Sequence, residues 1–140
     1  LATRTGSWHM PALCHANNIQ WSIEASGISN EVMIPGEIRQ NIFLVFKEAI
    51  NNMIKYAGAA NCETIVAIRH SQFILTIADN GKGADGTVKG SGDGWKNMHK
   101  RVESLNGRLI IESSPDKGTL VAVNLPYPFK IPNSWERNRD

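Results

Sequence analysis

No apolar run in this chain approaches the ~18–20 residues that a helix needs to cross a bilayer. Its first residues also lack the basic-then-apolar pattern of a secretory leader. Cysteine is scarce: Cys14 and Cys62 are the only two, isolated and in no metal-ligand spacing. That argues against a disulfide framework and favours a reducing compartment. The net charge of +2 is too small to indicate nucleic acid as a partner. There is no GxxxxGK[ST] run, which excludes a P-loop, and there is neither an internal repeat nor a low-complexity tract.

What is present is ordinary for a globular domain. At 140 residues the chain is expected to form one domain with a substantial core. It begins at Leu1 rather than at methionine, so the expectation is a soluble, cytoplasmic, monomeric piece of a longer protein, with any membrane anchor elsewhere. Residues 1–18 are weakly patterned, with room for a short helix. The alternation Ile19-Gln-Trp21-Ser-Ile23-Glu reads as a strand. Pro35 opens a long helix whose apolar face repeats through Ile42, Phe43, Phe46, Ala49, Ile50, Met53 and Ala57, and Gly58 ends it.

Residues 64–69 and 73–78 form a hairpin, turning at His70-Ser71-Gln72. A helix follows over Asn97 to Leu105, stopped by Asn106-Gly107. Strands 108–112 and 119–125 are joined by a turn through Pro115-Asp116-Lys117-Gly118. The pattern predicts an α/β two-layer sandwich, a mixed and mostly antiparallel sheet with helices on one face. The domain is placed at 19–126, with a loose tail over 127–140.

Two segments carry chemistry. On the long helix, spacings of four and three put Glu48, Asn52 and Lys55 on one side, flanked by Tyr56. A polar stripe is most often a solvated helix face. Here asparagine, a poor helix former, sits in mid-helix, and the stripe mixes an acid, a neutral oxygen and a cation. An amide oxygen suits Mg²⁺, and a lysine one turn on can meet phosphate oxygens.

The second segment runs from Asp79-Asn-Gly81-Lys-Gly83 to Gly92-Asp-Gly94-Trp95-Lys-Asn97-Met98. Residues 81–94 hold six of the chain's twelve glycines, which predicts a mobile loop. Gly81 to Gly86 matches GxGxxG, but no helix starts at once behind it, so the dinucleotide-binding reading fails. An aspartate at a strand end accepts hydrogen bonds only and could take the exocyclic amine of adenine. The pair Gly92 and Gly94 lets backbone N–H groups approach phosphates at a helix start.

These residues resemble the GHKL superfamily, the Bergerat ATP-binding fold of DNA gyrase B subunits, a heat-shock chaperone, mismatch-repair proteins and sensor histidine kinases. Glu48 to Ala57 resembles the N box, Asp79 to Gly83 the G1 box, Gly92 to Met98 the G2 box, and Gly118-Thr119 the Gly-Thr pair of the last strands. The runs Phe46-Lys-Glu-Ala-Ile-Asn-Asn and Gly94-x-x-Asn97-Met98-x-x-Arg101-Val-x-x-Leu105-x-Gly107 are similar to bacterial kinases of the nitrate-sensor and desaturase-regulator type.

The resemblance implies that Asn52 ligates Mg²⁺, Lys55 contacts phosphates, Tyr56 lies by the nucleotide and Asp79 binds the adenine amine. It implies further nucleotide contacts from Gly81, Gly83, Gly92, Gly94, Trp95, Asn97 and Met98, with Thr119 near the base through a water. Glu48 corresponds to the base that activates water in ATPase members. Tyr56 stands where this subgroup often has histidine, and Trp95 where leucine is usual.

The activity implied is that of a histidine kinase catalytic domain. It would bind Mg-ATP and donate the γ-phosphate to a histidine on a separate dimerisation domain, for relay to a response regulator. None of His9, His15, His70 and His99 sits on a long helix beside an acidic residue, so each is expected to be structural or at the surface. Two other readings share the boxes: a stand-alone serine kinase that silences a sigma factor, and a non-catalytic nucleotide-gated module.

Overall fold

The computed structural model describes residues 14–28, 33–58, 61–82 and 94–129, except the side chains of Tyr56 and Ala57. Strand β1 spans Gln20–Ser26, helix α1 Gly36–Asn52, β2 Asn61–Arg69, β3 Gln72–Asp79, helix α2 Gly94–Ser104, β4 Arg108–Ser113 and β5 Thr119–Pro126. The sheet has five strands in the order β1-β2-β3-β5-β4. Only β1 and β2 run parallel, because α1 lies between them in sequence; the other neighbours are antiparallel.

Helix α1 buries Ile38, Ile42, Val45, Phe46, Ala49 and Ile50, spaced three and four apart on one stripe. Pro35 caps it, and its carbonyl accepts from Arg39 N–H at 2.9 Å. That stripe meets Phe73, Leu75 and Ile77 of β3 and Val121, Val123 and Leu125 of β5, while Met98, Val102 and Leu105 close the same core. The Trp21 indole packs on the Phe46 ring at 6.4 Å between centroids and donates to Thr64 Oγ1 at 3.1 Å, tying β1, α1 and β2 together.

The β2–β3 turn places His70 and Ser71 at φ 51° and 61°, the pair of left-handed residues that suits strand twist. Helix α2 ends on Asn106 at φ 59°, and the N–H of Gly107 returns to the Val102 carbonyl at 2.9 Å.

Three elements differ from the sequence expectation by three residues at an end or in helix type. Strand β2 starts at Asn61 rather than 64, which brings Cys62 into the sheet. Helix α2 starts at Gly94 rather than Asn97, so Trp95 is helical. The long helix is not α-helical to its end: Met53–Ala57 form a π turn, closed by Gly58 at φ 57°. No residue type in Met53-Ile-Lys-Tyr-Ala marks such a turn, so periodicity alone extends the α-helix through it.

The core also reaches past both expected limits. Cys14, ahead of residue 19, is fully buried within it, and the Phe129 ring, beyond 126, packs tilted against that of Phe73 with centroids 5.5 Å apart. Residues 1–13 and 130–140, and with them most of the expected loop between Gly81 and Gly94, lie outside the described residues.

Candidate functional site

The register of four strands sets Cys62, Asp79, Thr119 and Ser113 side by side across β2, β3, β5 and β4. The next rows inward are Thr64, Ile77, Val121, Ile111 and then Val66, Leu75, Val123, Leu109. Side chains two apart on a strand share a face, so the row of Asp79 continues an interior face that is apolar apart from Thr64, as its polar margin.

Each polar group in that row is tied down. The Asp79 carboxylate accepts the Gly81 N–H at 2.8 Å and the Thr119 backbone N–H. Burial nevertheless raises its pKa above the ordinary value, and those two N–H groups only partly offset the rise. The hydroxyls of Ser113 and Thr119 lie 2.7 Å apart. Burial pushes the Cys62 thiol up to about 12, helped by the neighbouring Cys14 thiol and the Asp79 charge and opposed by a hydrogen bond with the Thr64 side chain. A cleft of about 580 Å³ opens at this end, lined by Asp79, Ser113, Lys117, Gly118, Thr119 and Leu120 among others. That size suits a small-molecule ligand.

The segment after β3 is held by its backbone and by the Asn80 side chain. Asn80 Oδ1 accepts the Asn61 N–H at 2.8 Å, and the Asn80 N–H donates to the Asn61 carbonyl at 3.2 Å. The Lys82 carbonyl accepts the N–H of Asp116 in the β4–β5 turn. In the same turn Gly118 adopts φ 77°, and a Cβ there would collide with the Asp79 carbonyl oxygen. Only glycine combines that conformation with that approach.

On the helical side, Asn52 ends the α-helical part of α1, where the π turn begins. Its Nδ2 is buried and has no hydrogen-bond partner among the described residues. A rotation of the amide by half a turn would present its oxygen at the same spot. Either way a buried amide atom lacks the partner that such groups normally have. The Glu48 side chain lies against the first residue of α2: a Cβ on Gly94 would overlap its carboxylate oxygen.

The structure thus brings Asp79, Gly81 and Thr119 together, and Glu48 with Gly94. Lys55 is exposed in the π turn, Asn97 is exposed on α2, and Trp95 is half-buried against the core. Met98 is 1% exposed, a core residue. Gly83, Gly92 and the Tyr56 side chain lie outside the described residues. His15, His70 and His99 are all exposed, as expected; His9 lies outside the described residues. Ser113 is the member that sequence reading missed. Its signal was available in the hairpin: Ser113 and Thr119 flank the turn symmetrically, and strand pairing puts such residues opposite each other. Among the described residues no helix is long and apolar enough to cross a membrane.

Residues 37–128 match the family model for histidine kinase-, DNA gyrase B-, and HSP90-like ATPases. Among curated proteins, the chain is 33% identical over 93 residues to the signal transduction histidine-protein kinase/phosphatase DegS of Brevibacillus brevis, covering 66% of this chain and 24% of that one. It is 31% identical over 110 residues to the sensor histidine kinase LiaS of Bacillus subtilis, covering 78% and 29%. The chain therefore spans about a quarter of the length of these relatives. Among solved structures, the histidine kinase domain of the blue-light activated histidine kinase from Erythrobacter litoralis superposes with a TM-score of 0.71 at 19% identity, over 85% of this chain and 58% of that one, which shows a common fold. On the strength of the match over residues 37–128, this chain belongs to the family of histidine kinase-, DNA gyrase B- and HSP90-like ATPases and has its ATP-binding fold.

Proposed function

We propose that the chain is the ATP-binding catalytic domain of a sensor histidine kinase, with adenine read at the Asp79–Thr119 end and the phosphates lying toward α1 and α2. The observation that carries this reading is the Asp79 carboxylate, fixed by two backbone N–H groups at the mouth of the cleft. A carboxylate so held is an acceptor, which suits the 6-amino group of adenine and opposes the 6-oxo group of guanine.

Asn52 fits the metal of a Mg-ATP complex, because its amide holds a buried polar atom without a partner among the described residues. The oxygen of one amide is enough for a cation that keeps several waters. When bound, Mg²⁺ would neutralise charge on the phosphate oxygens. Lys55, exposed one turn on, can swing to the same oxygens as a flexible point charge. Glu48, on α1 with its carboxylate beside Gly94, would be the acid that orients an incoming nucleophile.

The γ-phosphoryl acceptor is a histidine on a separate dimerising hairpin of the same kinase, and a response regulator receives the phosphoryl group next. Phosphoryl transfer depends on an in-line nucleophile, and the exposed His15, His70 and His99 occupy turns or outer helix surface. Labelled ATP, with the chain alone and with that hairpin added, tests this. Acid-labile label should appear on the hairpin only; rapid labelling of the chain alone would sink the assignment.

A further inference from the structure

The geometry points to Ser113 as a positioning residue that sets the base preference of this site, by holding the Thr119 hydroxyl as an acceptor toward the ligand. The inference rests on the adenine reading above and deepens it.

Ser113 and Thr119 are cross-strand partners on β4 and β5, with their hydroxyl oxygens 2.7 Å apart. Each hydroxyl has one proton and two lone pairs. The short contact uses one of the two protons. Ser113 Oγ also faces the Gly118 carbonyl at 3.4 Å. A carbonyl can only accept, so a bond along that line takes the Ser113 proton. Thr119 must then supply the proton of the 2.7 Å bond. Within the group formed by Ser113, Thr119 and the Gly118 carbonyl, this arrangement gives both protons an acceptor, whereas the reverse leaves the Thr119 proton without one in that group.

The consequence falls on the ligand. A Thr119 whose proton is committed to Ser113 has only lone pairs left for the cleft. It stands next to Asp79, which is also an acceptor, on the neighbouring strand. Two adjacent acceptors favour a donor, the amine at the 6 position of adenine. They disfavour the carbonyl oxygen of hypoxanthine or guanine. Without Ser113, the Thr119 hydroxyl is free to turn and to donate to that oxygen, so discrimination falls.

Inosine triphosphate is the appropriate probe, because it differs from ATP only along this edge of the base. Titration calorimetry of the whole chain with Mg-ATP and Mg-ITP should show a preference for ATP in the wild type. Ser113→Ala should narrow the ATP-to-ITP ratio about tenfold, the scale of one hydrogen bond. Ser113→Thr keeps the hydroxyl and should restore the ratio. Thr119→Val should narrow it as Ser113→Ala does, and Ser113→Ala should then add nothing. A wild-type preference that survives Ser113→Ala overturns this inference alone, as does further narrowing in the Thr119→Val background. A wild type with no preference for ATP overturns the adenine reading and this inference with it.

Discussion

Gly118 and Asp79 meet backbone to backbone: the space for a Cβ on Gly118 is already filled by the Asp79 carbonyl oxygen. The turn of one hairpin is thereby seated on the strand end that bears the acid. Gly118→Ala should cost roughly 1–3 kcal/mol, the scale of left-handed strain, with more for the displaced backbone. Urea denaturation measures it. Gly94→Ala provides the contrast, because its Cβ would meet the end of a flexible side chain, Glu48. That carboxylate can swing away, so the Gly94 variant should lose far less stability than the Gly118 variant. Equal losses would contradict this account of the two contacts.

Asp79→Asn should move binding and stability in opposite directions. Losing a charged acceptor costs roughly 1.5–3 kcal/mol, at least about tenfold in ATP affinity. Burial raises the folded pKa of Asp79. Its contribution to stability is therefore fully present below the ordinary value of 3.8 and is lost as pH rises through the raised value. At neutral pH the buried charge is a cost that asparagine removes. Melting curves at pH 7 without nucleotide should show the variant at least as stable as the wild type. A clear drop in melting temperature would mean that the charge stabilises the fold.

Asn52→Leu should abolish magnesium-dependent ATP binding while leaving the nucleotide-free domain as stable as before, or more so. An unpartnered buried polar atom costs about 1–3 kcal/mol, and leucine removes it at similar volume. Calorimetry with and without Mg²⁺, beside thermal melts, reads both effects. Unchanged Mg-ATP affinity would remove Asn52 from the metal site.

Cys14 and Cys62 should resist thiol reagents in the native domain. Both are buried, and burial keeps them as neutral thiols, Cys62 up to about 12. Reaction needs the thiolate. Ellman's reagent at pH 8 should detect both thiols only after denaturant is added. The same shift makes the fold sensitive to alkali: the stability that Cys62 contributes is present below its ordinary 9.0 and is lost as pH rises toward about 12. Melting temperatures that stay flat across that window would argue against it.

The strand end at Asp79 and the turn at Gly118 were legible in the sequence, because the apolar pattern ends at the one and glycine suits the positive φ of the other; Thr119 was named only through the family resemblance. The two hairpins were legible for the same reason: their turns carry their own signals. The π turn after Asn52 was not, since its residues suit an α-helix equally well. Nor was the start of α2 at Gly94, because glycine is a weak helix former. Ser113 was hidden differently. A serine at a strand end is unremarkable until the register places it beside Thr119.

The row of Cys62, Asp79, Thr119 and Ser113 takes one residue from each of four strands. Side chains alternate between faces, so a slip of one residue in any of those pairings would turn that strand's contribution away from the row. Slippage of β5 would present Gly118 or Leu120 where Thr119 belongs. The row therefore comes into being only when the two hairpins have formed and docked in register. Native β2–β3 and β4–β5 hairpins are not sufficient separately, since the pairing of β3 with β5 joins them. A folding intermediate that has its helices and both hairpins but not that central pairing would contain most of the native secondary structure and none of the site. Recovery of ligand binding during refolding should consequently lag behind recovery of far-ultraviolet circular dichroism.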